Sequence, residues 1–415
     1  MKFSFHLLSH LVSAALALMA ATADNTPDLC TDDIANLEKI LPSETVTDGH
    51  PIPSITVGSA TYSGDVPHFV VSPEGGDHDK IIVYIPGTTD RPSLSSCLIK
   101  SMSESLSFPV LALSYQYLSS GDSFRNGKCE LLVDGGDRTE QVNCLEQQHI
   151  DAIDGGDYGA THFKDDGSAF WGEVLPENSL TRRLGDLLIL LHKRYPDGHW
   201  DNFLQEDMST PAWANIVFSG HSQGSGHVAY LAQTKNINGA VMISGPQDEC
   251  TGCPEGTAFW IDELYASTSD TPYTALAQGQ EPLFPVMEDN WKRMKATNPS
   301  INWITADPQS TDFGLMTTAH DAYASPLFTD VTYADTSTCG GKEHCSVAID
   351  DSVPYIKKSD GETFYLYEAS VWPSILKAGS GLTGKNKRGK IKKGKRSKGG
   401  KIGKSVKSGK KGKLR

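Results

Sequence analysis

The chain has 415 residues, with 51 Asp and Glu against 37 Lys and Arg, for a formal net charge of −14. That length excludes a minimal domain and is enough to bury one substantial core, so one large α/β domain with extensions is expected. The charge is divided: residues 385–415 hold 16 of the basic residues and no acidic one, leaving 21 basic against 51 acidic elsewhere, a strongly acidic body at −30 beside a polycationic tail.

The N-terminus starts Met1-Lys2, runs through apolar Leu11 to Ala20 and reaches Ala21-Thr22-Ala23 before Asp24. A basic start, a short apolar stretch and an A-x-A ending read as a secretory signal peptide over 1–23, cleaved after Ala23. The stretch is too short to span a bilayer comfortably, and no later apolar run is long enough, so a soluble protein, secreted or associated with the cell wall, is expected. Eight cysteines suit an oxidising destination, and their even number favours disulfides. Local spacing suggests Cys129 with Cys144 and Cys339 with Cys345, with the others left open. Cys250-Thr251-Gly252-Cys253 has no second C-x-x-C to complete a zinc site, so no metal is assigned to it. The chain has no N-x-S/T sequon.

Asp32 to Ile40 reads as a short helix with Thr31 as N-cap. His68 to Ser72 and Lys80 to Ile85 read as strands across a Pro-Glu-Gly-Gly-Asp turn, and the continuous apolar run Ile81–Ile85 suits a strand covered on both faces. It leads into Pro86-Gly87-Thr88-Thr89-Asp90, then a helix around Leu94 to Ser105 and a strand at Pro109 to Tyr115. A polar insertion follows over about 116–178, with two Asp-Gly-Gly-Asp tetrads whose spacing is not that of an EF-hand; it reads as a solvated acidic loop able to cap a site. Ser179 to Tyr195 is a helix, with leucines recurring on one face and Pro196-Asp197-Gly198 stopping it.

Asn215 to Tyr230 carries the chemistry. An apolar strand runs to Ser219, a helix begins near Ser225, and between them stands Gly220-His221-Ser222-Gln223-Gly224, a G-x-S-x-G pattern. A serine lifted onto so tight a turn strains the backbone, and side chains two residues either side would collide with it; glycine removes them. The Ser222 hydroxyl then stands at the sheet tip, with the Gln223 N–H turned toward a developing oxyanion. Beyond lie strands at Ala240 to Ser244 and Tyr273 to Ala277, a helix at about Leu283 to Lys295, a short strand at Ile301 to Thr305 and a packed terminal segment ending near Leu376. Strands alternating with helices imply a mainly parallel sheet with helices on both faces.

With these residues in place the chain resembles the α/β-hydrolase superfamily. More particularly, it is similar to a group of secreted serine hydrolases marked by a strand ending P-G-T, the elbow G-H-S-Q-G-x-G-H, a following S-G-P-x-D and a late H-x-x-x-x-D before a terminal Trp. Here those read Pro86-Gly87-Thr88, Gly220 to His227, Ser244 to Asp248, and His344 to Asp350 with one extra residue, then Trp372. The resemblance covers about residues 50–378 and implies an esterase-like reaction without a cofactor. It also implies that the loop after the third strand supplies the second oxyanion donor, from Gly87 or Thr88, beside Gln223.

A serine hydroxyl needs a histidine base and an orienting acid, and in this fold they follow the serine in the order acid, then histidine. His227 lies on the same helix as Ser222 and cannot easily reach back. His344, in the glycine-bearing loop Cys339 to Cys345, is the first choice, and His320 is its competitor. For the acid, Glu281 after the seventh strand is preferred, with Asp289 and Asp248 as alternatives; the family more often uses aspartate there.

Residues 379–415 are nearly all Lys, Arg, Gly and Ser, too poor in apolar groups to fold alone. Such a disordered tail is suited to polyanions: acidic polysaccharide, silica or an anionic membrane surface, with nucleic acid disfavoured by the secretory start. The leading expectation is a secreted serine hydrolase of small or polymeric esters tethered to an anionic matrix. A serine peptidase or acyltransferase on the same fold, or an inactive hydrolase fold acting as a matrix-binding protein, are the alternatives.

Overall fold

The computed structural model describes residues 30–45, 55–57, 60–62, 66–73, 78–88, 90–115, 138–161, 171–249, 257–262, 271–297, 302–303, 317–318, 327–329, 342–357, 363–368 and 371–382. The expected signal segment, the basic stretch beyond Leu382, both C-x-x-C cysteines and His320 lie outside these residues.

One sheet organises the body. Its main strands are β1 (Leu37–Ile40), β2 (His68–Val71), β3 (Ile81–Ile85), β4 (Val110–Ala112), β5 (Ile216–His221), β6 (Gly239–Ile243), β7 (Pro272–Gln278) and β8 (Leu327–Thr329), in spatial order β1-β2-β4-β3-β5-β6-β7-β8, with the two-residue strands Asn302–Trp303 on β7 and Thr317–Thr318 on β8. β2 pairs antiparallel with β1 and with β4, and every pairing from β4 across to β8 is parallel. β3 and β5 are neighbours, but their chains leave in opposite directions along the sheet, β3 toward β4 and β5 toward β6. That is a topological switch point, and a crevice forms where such loops part at the carboxyl ends of the strands.

The alternation of side chains along each strand feeds two cores. Ile81, Val83 and Ile85 of β3, Ile216 and Phe218 of β5, and Ala240 and Met242 of β6 join one core with α2 (Arg138–Asp154), α3 (Leu180–Arg194), α4 (Gln223–Thr234) and α5 (Phe284–Thr297). Ile82 and Tyr84, Val217, and Val241 and Ile243 face the other way, onto α1 (Ser96–Leu106) and α6 (Val371–Gly379). The sheet is therefore a mainly parallel layer with helices on both faces. Each such fully buried aliphatic side chain contributes roughly 1.5–3 kcal/mol.

α3 forms for reasons legible in its sequence. The Ser179 hydroxyl caps it by accepting from the Arg182 amide at 3.2 Å, Leu180, Leu184, Leu187, Leu188 and Leu191 are buried, and His192, Lys193 and Arg194 complement the dipole at its end.

Two segments differ from expectation. Asp32 to Ile40 is a single 3-10 turn, Thr31–Asp33, followed by strand β1 instead of a helix. Pairing of Leu37 with Val71 and Ile40 with His68, together with full burial of Ile40, outweighs the weak local helical pattern. Within the 116–178 segment, expected as a solvated loop, α2 buries Cys144, Leu145, Ala152 and Ile153 together with the polar Gln148, His149 and Asp151. Asp154, opening the second Asp-Gly-Gly-Asp tetrad, accepts hydrogen bonds from Thr181 and Lys235. Among the described residues no cluster of His, Cys, Asp and Glu suits a metal ion, and no helix is long and apolar enough to cross a membrane.

A disulfide joins Cys30 to Cys97, a pair the local spacing did not single out. Cys144 and Cys345 are also disulfide-bonded, and their expected partners Cys129 and Cys339 lie outside the described residues. The first turn of α1 is a junction. The Ser96 hydroxyl accepts from the Cys30 amide at 3.1 Å and donates to Asp350 Oδ2 at 2.5 Å, and the Cys97 amide donates to Asp350 as well. At the chain's other end the Trp372 indole of α6 donates to the Val347 carbonyl, and the packed chain continues through Ser380, just past the boundary expected at 378.

Candidate active site

Ser222 stands between the last residue of β5 and the first of α4, with φ 55° and ψ −120°. A positive φ costs a non-glycine residue on the order of 1–3 kcal/mol, and here the surroundings enforce it. The Ser222 amide donates to Ile243 O on β6 at 2.9 Å, and its carbonyl accepts from Ser225 at 3.0 Å. A Cβ on Gly220 would lie 2.4 Å from the Gly224 carbonyl oxygen, and one on Gly224 would lie 2.1 Å from the Ile85 carbonyl oxygen. No side chain fits at either place, so the two glycines are what allow the turn to close against β3.

The loop after β3 lies directly over this turn. A Cβ on Gly87 would come within 2.9 Å of Ser222 Cβ. The Thr88 hydroxyl donates to Gln223 Oε1 at 3.0 Å, tying the loop to the start of α4. The Gly87 amide points to Asp90 Oδ2 at 3.2 Å, so of the two loop positions Thr88 is the one not drawn away by that carboxylate. The Gln223 amide opens the first turn of α4, where helix geometry provides no intrahelical acceptor.

His344 and Glu281 meet although they are far apart in sequence. His344 sits in a short helix, Lys342–Cys345, and its Nδ1 lies 2.6 Å from Oε1 of Glu281, which follows β7 and whose side chain is 1% exposed. The Ser244 hydroxyl lies 3.3 Å from Glu281 Oε2 and Gln247 Nε2 donates to Oε1 at 3.3 Å, so both carboxylate oxygens have a polar neighbour. A carboxylate only accepts, so a neutral His344 carries its proton on Nδ1 and leaves Nε2 with a lone pair, the tautomer a general base requires. The imidazole packs against the ring of His221, immediately before Ser222, with centroids 4.8 Å apart.

The other candidate acids are occupied elsewhere. Asp289, on α5, is exposed and pairs with Arg293 one turn on, at 2.6 Å. Asp248 is 1% exposed and accepts from His149 Nε2 and the Trp260 indole, both at 2.7 Å. His149 Nδ1 in turn lies 2.9 Å from Nδ1 of His227, whose Nε2 is buried without a partner. Burial, reinforced by His149, holds His227 well below the usual imidazole range. This second chain, Asp248–His149–His227, is packed beneath α4 and does not include His344. Asp350, the end of the late motif, anchors the start of α1, and burial raises its carboxyl well above the usual range.

Sequence reasoning passed over His221 and Asp90. His221 is 1% exposed, with Nδ1 3.0 Å from Asp90 Oδ2 and Nε2 3.2 Å from the His344 carbonyl oxygen. His221 lies inside the elbow pattern and Asp90 in the loop after β3, and no local pattern reveals a contact between three loops.

A strained serine at a strand-to-helix turn, on this strand order and at its switch point, defines the α/β-hydrolase fold. No family model matches the chain, and a search of curated proteins finds no significant match. Solved structures that are similar include an esterase of Pyrobaculum calidifontis at 12% identity, covering 73% of this chain and 82% of that one with a TM-score of 0.30. A thermostable carboxylesterase from a metagenomic library, EstE1, matches at 12% identity over 72% and 84% of the two chains, TM-score 0.31. Esterase B of Lactobacillus rhamnosis matches at 10% identity over 72% and 83%, TM-score 0.33. Similarity at this level adds nothing to the topology read from the strands themselves.

Proposed function

We propose that the protein is a secreted serine hydrolase that cleaves carboxylic esters through an acyl-enzyme. The observation that carries this reading is the 2.6 Å pairing of His344 Nδ1 with the buried Glu281, one ring away from a serine held at positive φ. In the first step Ser222 Oγ bonds to the ester carbonyl carbon and its proton passes to His344 Nε2. The carbonyl π electrons move to oxygen, which accepts hydrogen bonds from the amides of Gln223 and Thr88. As the intermediate collapses, the bond to the alkoxy oxygen breaks and that oxygen takes the proton from His344. Water repeats the sequence, with His344 again as base, to release the acid and regenerate the serine. Glu281 stabilises the imidazolium that exists between proton transfers.

The signal segment and the cysteine usage support an oxidising, extracellular setting. The basic tail supports attachment to an anionic matrix such as acidic polysaccharide, silica or a membrane surface. A fluorophosphonate probe tests the central claim: the full chain is expected to label covalently and Ser222→Ala is not. Equal labelling of both would remove the case for Ser222, and no labelling of the parent would favour an inactive matrix-binding fold.

A further inference from the structure

We infer that His221 is a positioning residue whose Nε2–H holds the backbone of the base loop, and so sets where the His344 ring sits beside the elbow. The inference rests on the hydrolase reading and adds a residue to it.

Three loops meet at this ring. The loop after β3 contributes Asp90, the elbow contributes His221 itself, and the short helix Lys342–Cys345 contributes the His344 carbonyl. Both ring nitrogens face oxygens that only accept, the His344 carbonyl 3.2 Å from Nε2 and Asp90 Oδ2 3.0 Å from Nδ1, so meeting both contacts takes a hydrogen on each nitrogen and fixes the ring's rotation from both ends. The Ser244 hydroxyl lies 3.2 Å from the same carbonyl and 3.3 Å from Glu281 Oε2, and with one hydrogen it can donate to only one of them at a time. Nδ1 of His344 is meanwhile held by Glu281 at 2.6 Å. With the ring tethered at Nδ1 and its own carbonyl tethered to the residue before the nucleophile, little freedom remains in where Nε2 points. A base displaced by about 1 Å can lose on the order of 100-fold in rate. The ring of His221 also packs, tilted by 34°, against that of His344, so a second explanation, simple filling of space, has to be separated from the hydrogen bond.

The separating experiment compares His221→Gln with His221→Met in the full-length protein. The two side chains are alike in length and bulk, but only glutamine can donate to the His344 carbonyl. The readouts are the fluorophosphonate labelling rate and steady-state hydrolysis of p-nitrophenyl butyrate. His221→Gln is expected to stay within about 5-fold of the parent, and His221→Met to fall by about 30-fold or more in labelling rate and in kcat with KM little changed. Equal rates in the two variants would overturn the inference and leave only packing. If His221→Met does not accumulate as folded protein, a cycle of Asp90→Ala in the parent and in the His221→Gln background takes its place. The cycle cancels the separate contact of Asp90 with Gly87. A coupling of about 5-fold or more between positions 90 and 221 is expected, and additive losses would overturn the inference. Ser222→Ala serves as the control in each series: if it labels like the parent, the hydrolase reading fails and not the role of His221 alone.

Discussion

Glu281 is the residue on which the candidate site turns, because a buried carboxylate at 2.6 Å decides which nitrogen of His344 carries the proton. Glu281→Gln presents an amide that can donate to Nδ1 and so favours the wrong tautomer. The expected loss in p-nitrophenyl butyrate turnover is about 10³–10⁴-fold, whereas Asp289→Ala, which breaks only a surface pair with Arg293, should stay within about 2-fold. A Glu281→Gln enzyme with parental turnover would mean that the acid lies elsewhere. At this scale Ser222 stands out in the sequence by its glycines, while place in the chain narrows the base to His344 or His320 and the acid to Glu281, Asp289 or Asp248. His221 does not stand out, because its role depends on a carbonyl more than a hundred residues away, and no spacing rule reaches that far.

Among the elements, β3, β5 and α3 could be read from apolar runs and caps because their burial is one-sided or complete and their side chains are ordinary. α2 hid itself. Its buried face includes Gln148, His149 and Asp151, which look solvent-facing until their partners are known. His149 is satisfied by Asp248 and His227, and Asp151 accepts from the Trp171 indole at 2.8 Å. A polar residue is buried at tolerable cost only when it is paired, and pairing is a tertiary fact. Removing one member should therefore be expensive. His149→Ala leaves Asp248 buried with the Trp260 indole as its remaining side-chain donor and is expected to cost about 3–5 kcal/mol in urea unfolding, against under about 1 kcal/mol for a surface change such as Lys292→Ala. A His149→Ala protein as stable as the parent would show that the chain beneath α4 is not part of what holds the fold together.

At the scale of the molecule, three fully buried groups among the described residues contribute to the response to acid. His68, fully buried on β2 and accepting from the Ser114 amide, is pulled down to about 3 chiefly by burial and then by the charge of Arg183. His227 is lowered as well. Both are neutral in the fold, so once the pH drops below their unfolded values near 6.5 the unfolded chain binds more protons and stability falls. The slope is up to about 1.4 kcal/mol per pH unit for each histidine, continuing for His68 down to about pH 3. Asp350 has the opposite sign: burial raises its pKa, so its contribution is full below the unfolded carboxyl value and is lost as pH rises through the folded one. Urea titrations between pH 7 and 4 should show stability falling with acid, and His68→Asn should make that fall shallower by about 1.4 kcal/mol per pH unit near pH 5. An unchanged slope would mean that His68 takes up its proton inside the fold.

The junction at Ser96 and Cys97 has a consequence in time. These two residues clasp Cys30, from the beginning of the packed body, and Asp350, from near its end, in a single helical turn. A ribosome delivers Ser222 long before His344 and Asp350, so on the proposed mechanism a nascent chain carries the serine before the base that would activate it. Reactivity would then wait until the stretch through α6 has emerged and closed back onto α1.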